Sequence, residues 1–151
     1  MIPKFSLQNV LDLRHGKVEL LEIELGKLMA IHQETQNLHT SLGQYLESLL
    51  NQLSAAQTGD IDLVNLNLLR LNVLQVNKHI DLVRLELKKQ TVEIENKRAQ
   101  LVQAKQSEET LEILKRKRNE VYAAEQLQIE AQAQDDIYIA RAFRNQQQGA
   151  S

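Results

Sequence analysis

The chain has 151 residues, 42% of them apolar but only 3% aromatic, with Pro3 its sole proline and no tryptophan. Leu, Gln, Glu, Lys and Asn dominate, which is the makeup of extended helical proteins and argues against an ordinary compact domain. A formal net charge of −2 removes any global pull toward nucleic acid or anionic lipid, and the lack of cysteine excludes disulfides, thiolate metal sites and a cysteine nucleophile.

The N-terminal stretch MIPKFSLQNV lacks the uninterrupted apolar region of a secretory signal. No run approaches the ~18 apolar residues of a membrane span. A soluble, cytoplasmic protein without a direct span is therefore expected. The first arm is predicted over about residues 5–56. Stepping alternately by four and three gives an apolar seam of coiled-coil type: Leu7, Leu11, Arg14, Val18, Leu21, Leu25, Leu28, His32, Thr35, His39, Leu42, Leu46, Leu49, Leu53 and Ala56. Its middle is polar, and the neighbouring stripe of Ile31, Leu38 and Tyr45 predicts a stutter there. Gly16 and Gly26 each cost about 1 kcal/mol relative to alanine inside a helix. They are read as bends or points of close helix approach, and Gly16 also as the end of a short leading helix. His32 and His39 share the seam, but no acidic residue completes a zinc pattern such as H-E-x-x-H. A register-setting role outweighs a metal site, so neither metal nor cofactor is expected.

Gln57-Thr58-Gly59-Asp60 is the strong turn signal of the middle of the chain. Glycine takes positive φ without steric cost and commonly ends a helix. Asp60 is expected to cap the next helix, with Asp60 and Asp62 at its positive dipole end. A hairpin then lets two arms bury each other's seams, which one continuous helix does not.

The second arm is predicted over about residues 61–146, leaving 147–151 as a disordered tail. Its first part, Ile61 to Ile80, carries apolar residues on more than one helical face. Alternation in LVNLNLLRLNV also resembles a strand, but no second strand exists to pair with it. The width of the stripe has two compatible explanations: a cluster under the Leu42–Leu53 end of the first arm, or a partner site. Self-association through this tip is possible on the same grounds. From Val73 the seam runs Val76, Ile80, Val83, Leu87, Ile94, Leu101, Ala104 and Leu111, with Gln90, Lys97 and Glu108 in its polar positions. Mixed charges such as Arg84, Lys88, Glu86 and Glu93 read as a solvated face supported by i,i+4 pairs. Antiparallel pairing about the turn sets Leu7 opposite roughly residue 110. The segment from Leu111 onward is then a helical overhang. It contains the basic run Lys115-Arg116-Lys117-Arg118 and apolar residues Leu111, Leu114, Val121, Tyr122, Ile129, Ile137, Ile139 and Phe143. Four cations could hold phosphate, but no recognition fold or stacking platform accompanies them, so no nucleic acid is expected. Asp135 and Asp136 point about 100° apart on a helix, unlike an acid–base pair. With no phosphate loop or nucleophile elbow, no enzyme is expected. The fold class read from these features is all-α: a long antiparallel two-helix coiled-coil hairpin, one domain over 1–146, with a C-terminal overhang.

Both ends of the chain resemble the flagellar export protein FliJ family. Phe5-Ser6-Leu7-Gln8-Asn9-Val10-Leu11-Asp12-Leu13-Arg14 is similar to that family's F-x-L-Q-x-V-L-x-x-R opening. Leu111-Glu112-x-Leu114-Lys115-x-Lys117, followed by Tyr122, Glu130, Asp135-Asp136-Ile137 and Arg141, resembles its C-terminal pattern. The resemblance implies a stalk like the central subunit of rotary ATPases. Such a stalk inserts into and stimulates a hexameric export ATPase, contacts the membrane export gate and binds export chaperones, at the cytoplasmic side of the inner membrane. It also implies that the chain ends enter the ring, with Leu111, Leu114, Lys115, Arg116, Arg118, Tyr122, Asp135 and Asp136 as ATPase contacts. Gate contacts would fall on the second arm beyond the turn, at Leu66, Leu69, Val73, Val76 and Ile80. The competing reading is a coiled-coil scaffold or tether with unrelated partners; a helical-bundle enzyme or metal carrier comes third.

Overall fold

A computed structural model describes residues 4–149. Two helices account for almost all of them, α1 over Gln8–Ala56 and α2 over Leu63–Gly149. No strand occurs among the described residues, so LVNLNLLRLNV is helical. The chain is an all-α antiparallel helical hairpin. It divides into two compact units, residues 17–103 and the paired segments 1–16 and 104–151.

In the 17–103 unit the reversal spans residues 57–62, two more than the sequence suggests. Helix α1 tightens at its end, where the amides of Gln57 and Thr58 bond the carbonyls of Ser54 and Ala55, and the Thr58 hydroxyl also donates to Ala55 at 2.9 Å. Gly59 then takes φ 77°, the left-handed conformation that motivates a glycine there. The helix cap is Asp62, not Asp60. Its carboxylate accepts from the amides of Val64 at 3.0 Å and Asn65 at 3.4 Å, while its carbonyl accepts the first helical bond from Leu66. Asp60 lies two residues too early to reach those amides once the loop is six residues long.

Burial along α1 follows the four–three seam without a shift. Val18, Leu21 and Leu49 are buried, and Leu25, Leu28, His32, Thr35, His39, Leu42, Leu46, Leu53 and Ala56 are half-buried. Ile31, Leu38 and Tyr45, the expected stutter stripe, stay exposed. The seam holds its course because its polar members find polar partners across the hairpin. Gln90 is only 6% exposed. Its amide N–H donates to the Thr35 hydroxyl at 2.9 Å, and its carbonyl accepts from His32 Nδ1 at 3.0 Å. Thr35 in turn donates to the Ile31 carbonyl, and the Gln36 amide reaches His32 Nε2 at 3.2 Å. This buried network uses the Nδ1–H tautomer of His32 and leaves no member unsatisfied. On one side of it Lys97 meets Glu24 at 2.8 Å, and on the other Arg84 approaches His39 at 3.4 Å.

Toward the turn the seam becomes a true apolar core. Leu49, Leu69, Val76 and Ile80 form one cluster, with Leu42, Leu46, Leu53, Ala56 and Val73 packed against it. Glycine positions along α1 are not close approaches. A Cβ built on Gly16 or Gly26 meets nothing within 4 Å, and α1 passes through both without interruption. Opposite outcomes are therefore expected for two glycine replacements. Gly26→Ala should raise stability by up to about 1 kcal/mol through helix propensity. Gly59→Ala should lower it by roughly 1–2 kcal/mol, because alanine resists left-handed φ. Urea unfolding followed by circular dichroism reads both, and equal signs would contradict these backbone roles.

In the other unit the start of the chain packs along α2. Phe5, Leu11, Ala104 and Leu111 are buried there. Three polar contacts pin the segment: Arg14 to the Ser107 carbonyl at 2.8 Å, His15 to Glu108 at 2.6 Å, and Arg118 to the Ser6 hydroxyl at 3.1 Å. With Arg14 on the Ser107 carbonyl, the residue facing Leu7 lies roughly one turn later in α2 than position 110. The longer reversal accounts for part of that offset. Beyond Tyr122 every described residue of α2 is exposed, through to Gly149. Residues 147–149, expected in a disordered tail, continue the helix; 150 and 151 lie outside the described residues.

Candidate interaction surface

The helix period distributes the sequence-derived site residues between core and surface, and it separates the two groups differently. Of the five expected gate contacts, Leu66, Leu69, Val76 and Ile80 are buried and Val73 is half-buried against them. They face α1, because they occupy the seam positions of α2. The apolar residues of this segment that meet solvent are others: Ile61, Leu63, Val64, Leu68, Leu71 and Leu74. The width of the stripe thus resolves into a core face and an outer face. Sequence carried the signal, since Val64, Leu68, Leu71 and Leu74 each lie two places from a seam position, but the seam's register had to be known first.

The expected ATPase contacts begin at the end of the packed region. Leu111 is buried within the hairpin, Lys115 and Tyr122 are half-buried, and Leu114, Arg116, Arg118, Asp135 and Asp136 are exposed. The four cations of the basic run spread around a full helical turn rather than forming one flat patch. Arg118 is engaged with Ser6. Past them, Leu127, Ile129, Ile137, Tyr138, Ile139 and Phe143 are all more than half exposed on bare helix. On so exposed a helix, apolar residues such as these gain burial from a partner surface.

A hollow of about 220 Å³ beside the polar layer is lined by Met29, His32, Gln33, Thr91, Ile94, Glu95 and Arg98. The histidine there is already committed to Gln90 and Gln36. Among the described residues no three His, Asp or Glu side chains come close enough to hold a metal, and His32 and His39 instead meet glutamine and arginine partners. Among those residues, too, no helix is long and apolar enough to cross a membrane.

The described residues thus belong to the class of all-α helical hairpins, with apolar residues exposed along the C-terminal part of α2. The family comparison agrees: residues 3–148 match the family described as Flagellar FliJ protein. The chain belongs to the FliJ family, and so is a component of flagellum biogenesis and of the flagellar protein export apparatus, in a family not known for catalysis. No curated protein and no solved structure compared with it matches.

Proposed function

We propose that this chain is the stalk and adaptor of the export apparatus, entering the ring of a hexameric export ATPase and stimulating it. The observation that carries this reading is the helix beyond Tyr122, every described residue of which is exposed, the apolar Leu127, Ile129, Ile137 and Phe143 included. A stalk needs a stiff element that can touch several subunits of a ring, and a bare helix with spaced apolar residues meets that need. Leu114, Lys115, Arg116, Arg118, Tyr122, Asp135 and Asp136 are the residues assigned to the ring. Leu111 supports them from within the hairpin.

The same reading gives the chain a contact with the membrane export gate and with export chaperones, at the cytoplasmic face of the inner membrane. For the gate, Leu66, Leu69, Val73, Val76 and Ile80 shape the tip from inside, and the outward Leu68, Leu71 and Leu74 offer the contact.

Charge reversal tests the ring assignment. Lys115→Glu with Arg116→Glu should weaken ATPase binding by roughly 2–5 kcal/mol, as expected for truncating or opposing contacts in a desolvated interface. Helicity should not change, because neither residue belongs to the buried core. Titration of the ATPase with both proteins reads the difference; unaltered affinity in a fully helical variant removes these residues from the ring.

A further inference from the structure

The outer face of α2 carries a second seam. Two places away from the seam positions, Val64, Leu68, Leu71, Gln75, Lys78, Leu82, Leu85, Lys89 and Val92 recur with the same alternation of three and four. Every one is exposed, and the six apolar members are each at least half exposed. An ordinary solvent face is polar, so a second heptad stripe turned away from α1 calls for a second helix. Who supplies it is written in the order of the residues. The stripe is close to a palindrome: reversed upon itself, it sets Leu68 opposite Leu85 and Leu71 opposite Leu82. Such self-complementarity is what a two-fold, isologous interface requires.

We infer that two copies of this chain pair antiparallel through the outer face of α2 between Val64 and Lys89. Charges choose the direction. In the antiparallel register Lys78 meets Gln75 of the other copy, and Lys89 lies over Val64, its stem covering the valine while its ammonium reaches water. Flanking positions then match Asn65 with Glu86, Asn67 with Lys88 and Asn72 with His79, with no like-charged pair. A parallel arrangement instead stacks Lys78 on Lys78 and Lys89 on Lys89, and sets Asp81 against Glu86, all unfavourable. This pairing rests on the exposure pattern alone and not on the ring reading. One consequence is that pairing covers Leu68 and Leu71, so the paired chain is barred from any partner that uses those residues.

Sedimentation equilibrium of the full chain, together with cysteine pairing, tests this. Cysteine is absent from the chain, so introduced thiols report without background. The expected result is a mass twice that of the monomer at tens of micromolar, reverting to the monomer in Leu68→Glu/Leu85→Glu with helicity unchanged. Mixing Leu68→Cys with Leu85→Cys should give the mixed disulfide, while either alone should not, because like positions lie about 25 Å apart along the antiparallel axis. A monomer at all concentrations overturns the proposal. So does a dimer that survives the double glutamate substitution, or one in which Leu68→Cys links to itself.

Discussion

Leu49→Ala is expected to destabilise the hairpin by about 2–5 kcal/mol, the range for emptying a leucine-sized site in a packed core. Leu49 is 3% exposed, and it is packed with Leu69, Val76 and Ile80 at the centre of the one cluster of buried residues near the reversal. A two-helix core has a single layer of side chains between its helices. No second layer is available to collapse into the space left, so the upper half of the range applies. The neighbouring Leu74→Ala is the control: Leu74 is 60% exposed, and its loss should stay within about 0.5 kcal/mol. Chemical denaturation distinguishes them directly. Equal losses would mean that the core face and outer face of α2 are misassigned.

The second large effect is a non-additive one at the polar layer. Gln90→Leu alone should cost about 1–3 kcal/mol, because it leaves the part-buried His32 and Thr35 without the amide that serves both. The triple change Gln90→Leu, His32→Leu and Thr35→Val should recover that loss or exceed wild-type stability, since an apolar seam replaces a satisfied polar one. A double-mutant cycle measures the coupling. Additive losses would show that the three side chains act separately, contrary to the closed network of hydrogen bonds.

These two cases also mark what could be read from sequence. The four–three seam was legible along α1 outside its polar middle and along α2 from Val73 to Leu111, because leucine spacing fixes a helical face regardless of partner. The apparent stutter at Ile31, Leu38 and Tyr45 was not a shift but an exposed flanking stripe. Apolar character favoured it over His32, Thr35 and His39, and only the opposing Gln90 and Arg84, far along the chain, make the polar choice stable. Gly59 was legible from its lack of a Cβ, whereas the capping carboxylate was placed two residues early, at Asp60 instead of Asp62. Turn length decides which aspartate reaches the free amides, and a helix start is poorly fixed by local pattern alone. At the tip, Leu66 and Leu68 look alike in sequence, and register alone sends one inward and the other outward.

The most direct test of the stalk reading is ATP hydrolysis by the cognate hexameric export ATPase, measured alone, with the full chain, and with a chain lacking residues 123–149. Those residues make up the exposed part of α2, so their removal leaves the packed hairpin intact. The full chain should stimulate hydrolysis and the shortened one should not, although both remain helical. Equal stimulation by the two forms, or none by the full chain, would contradict the assignment of this helix to the ring.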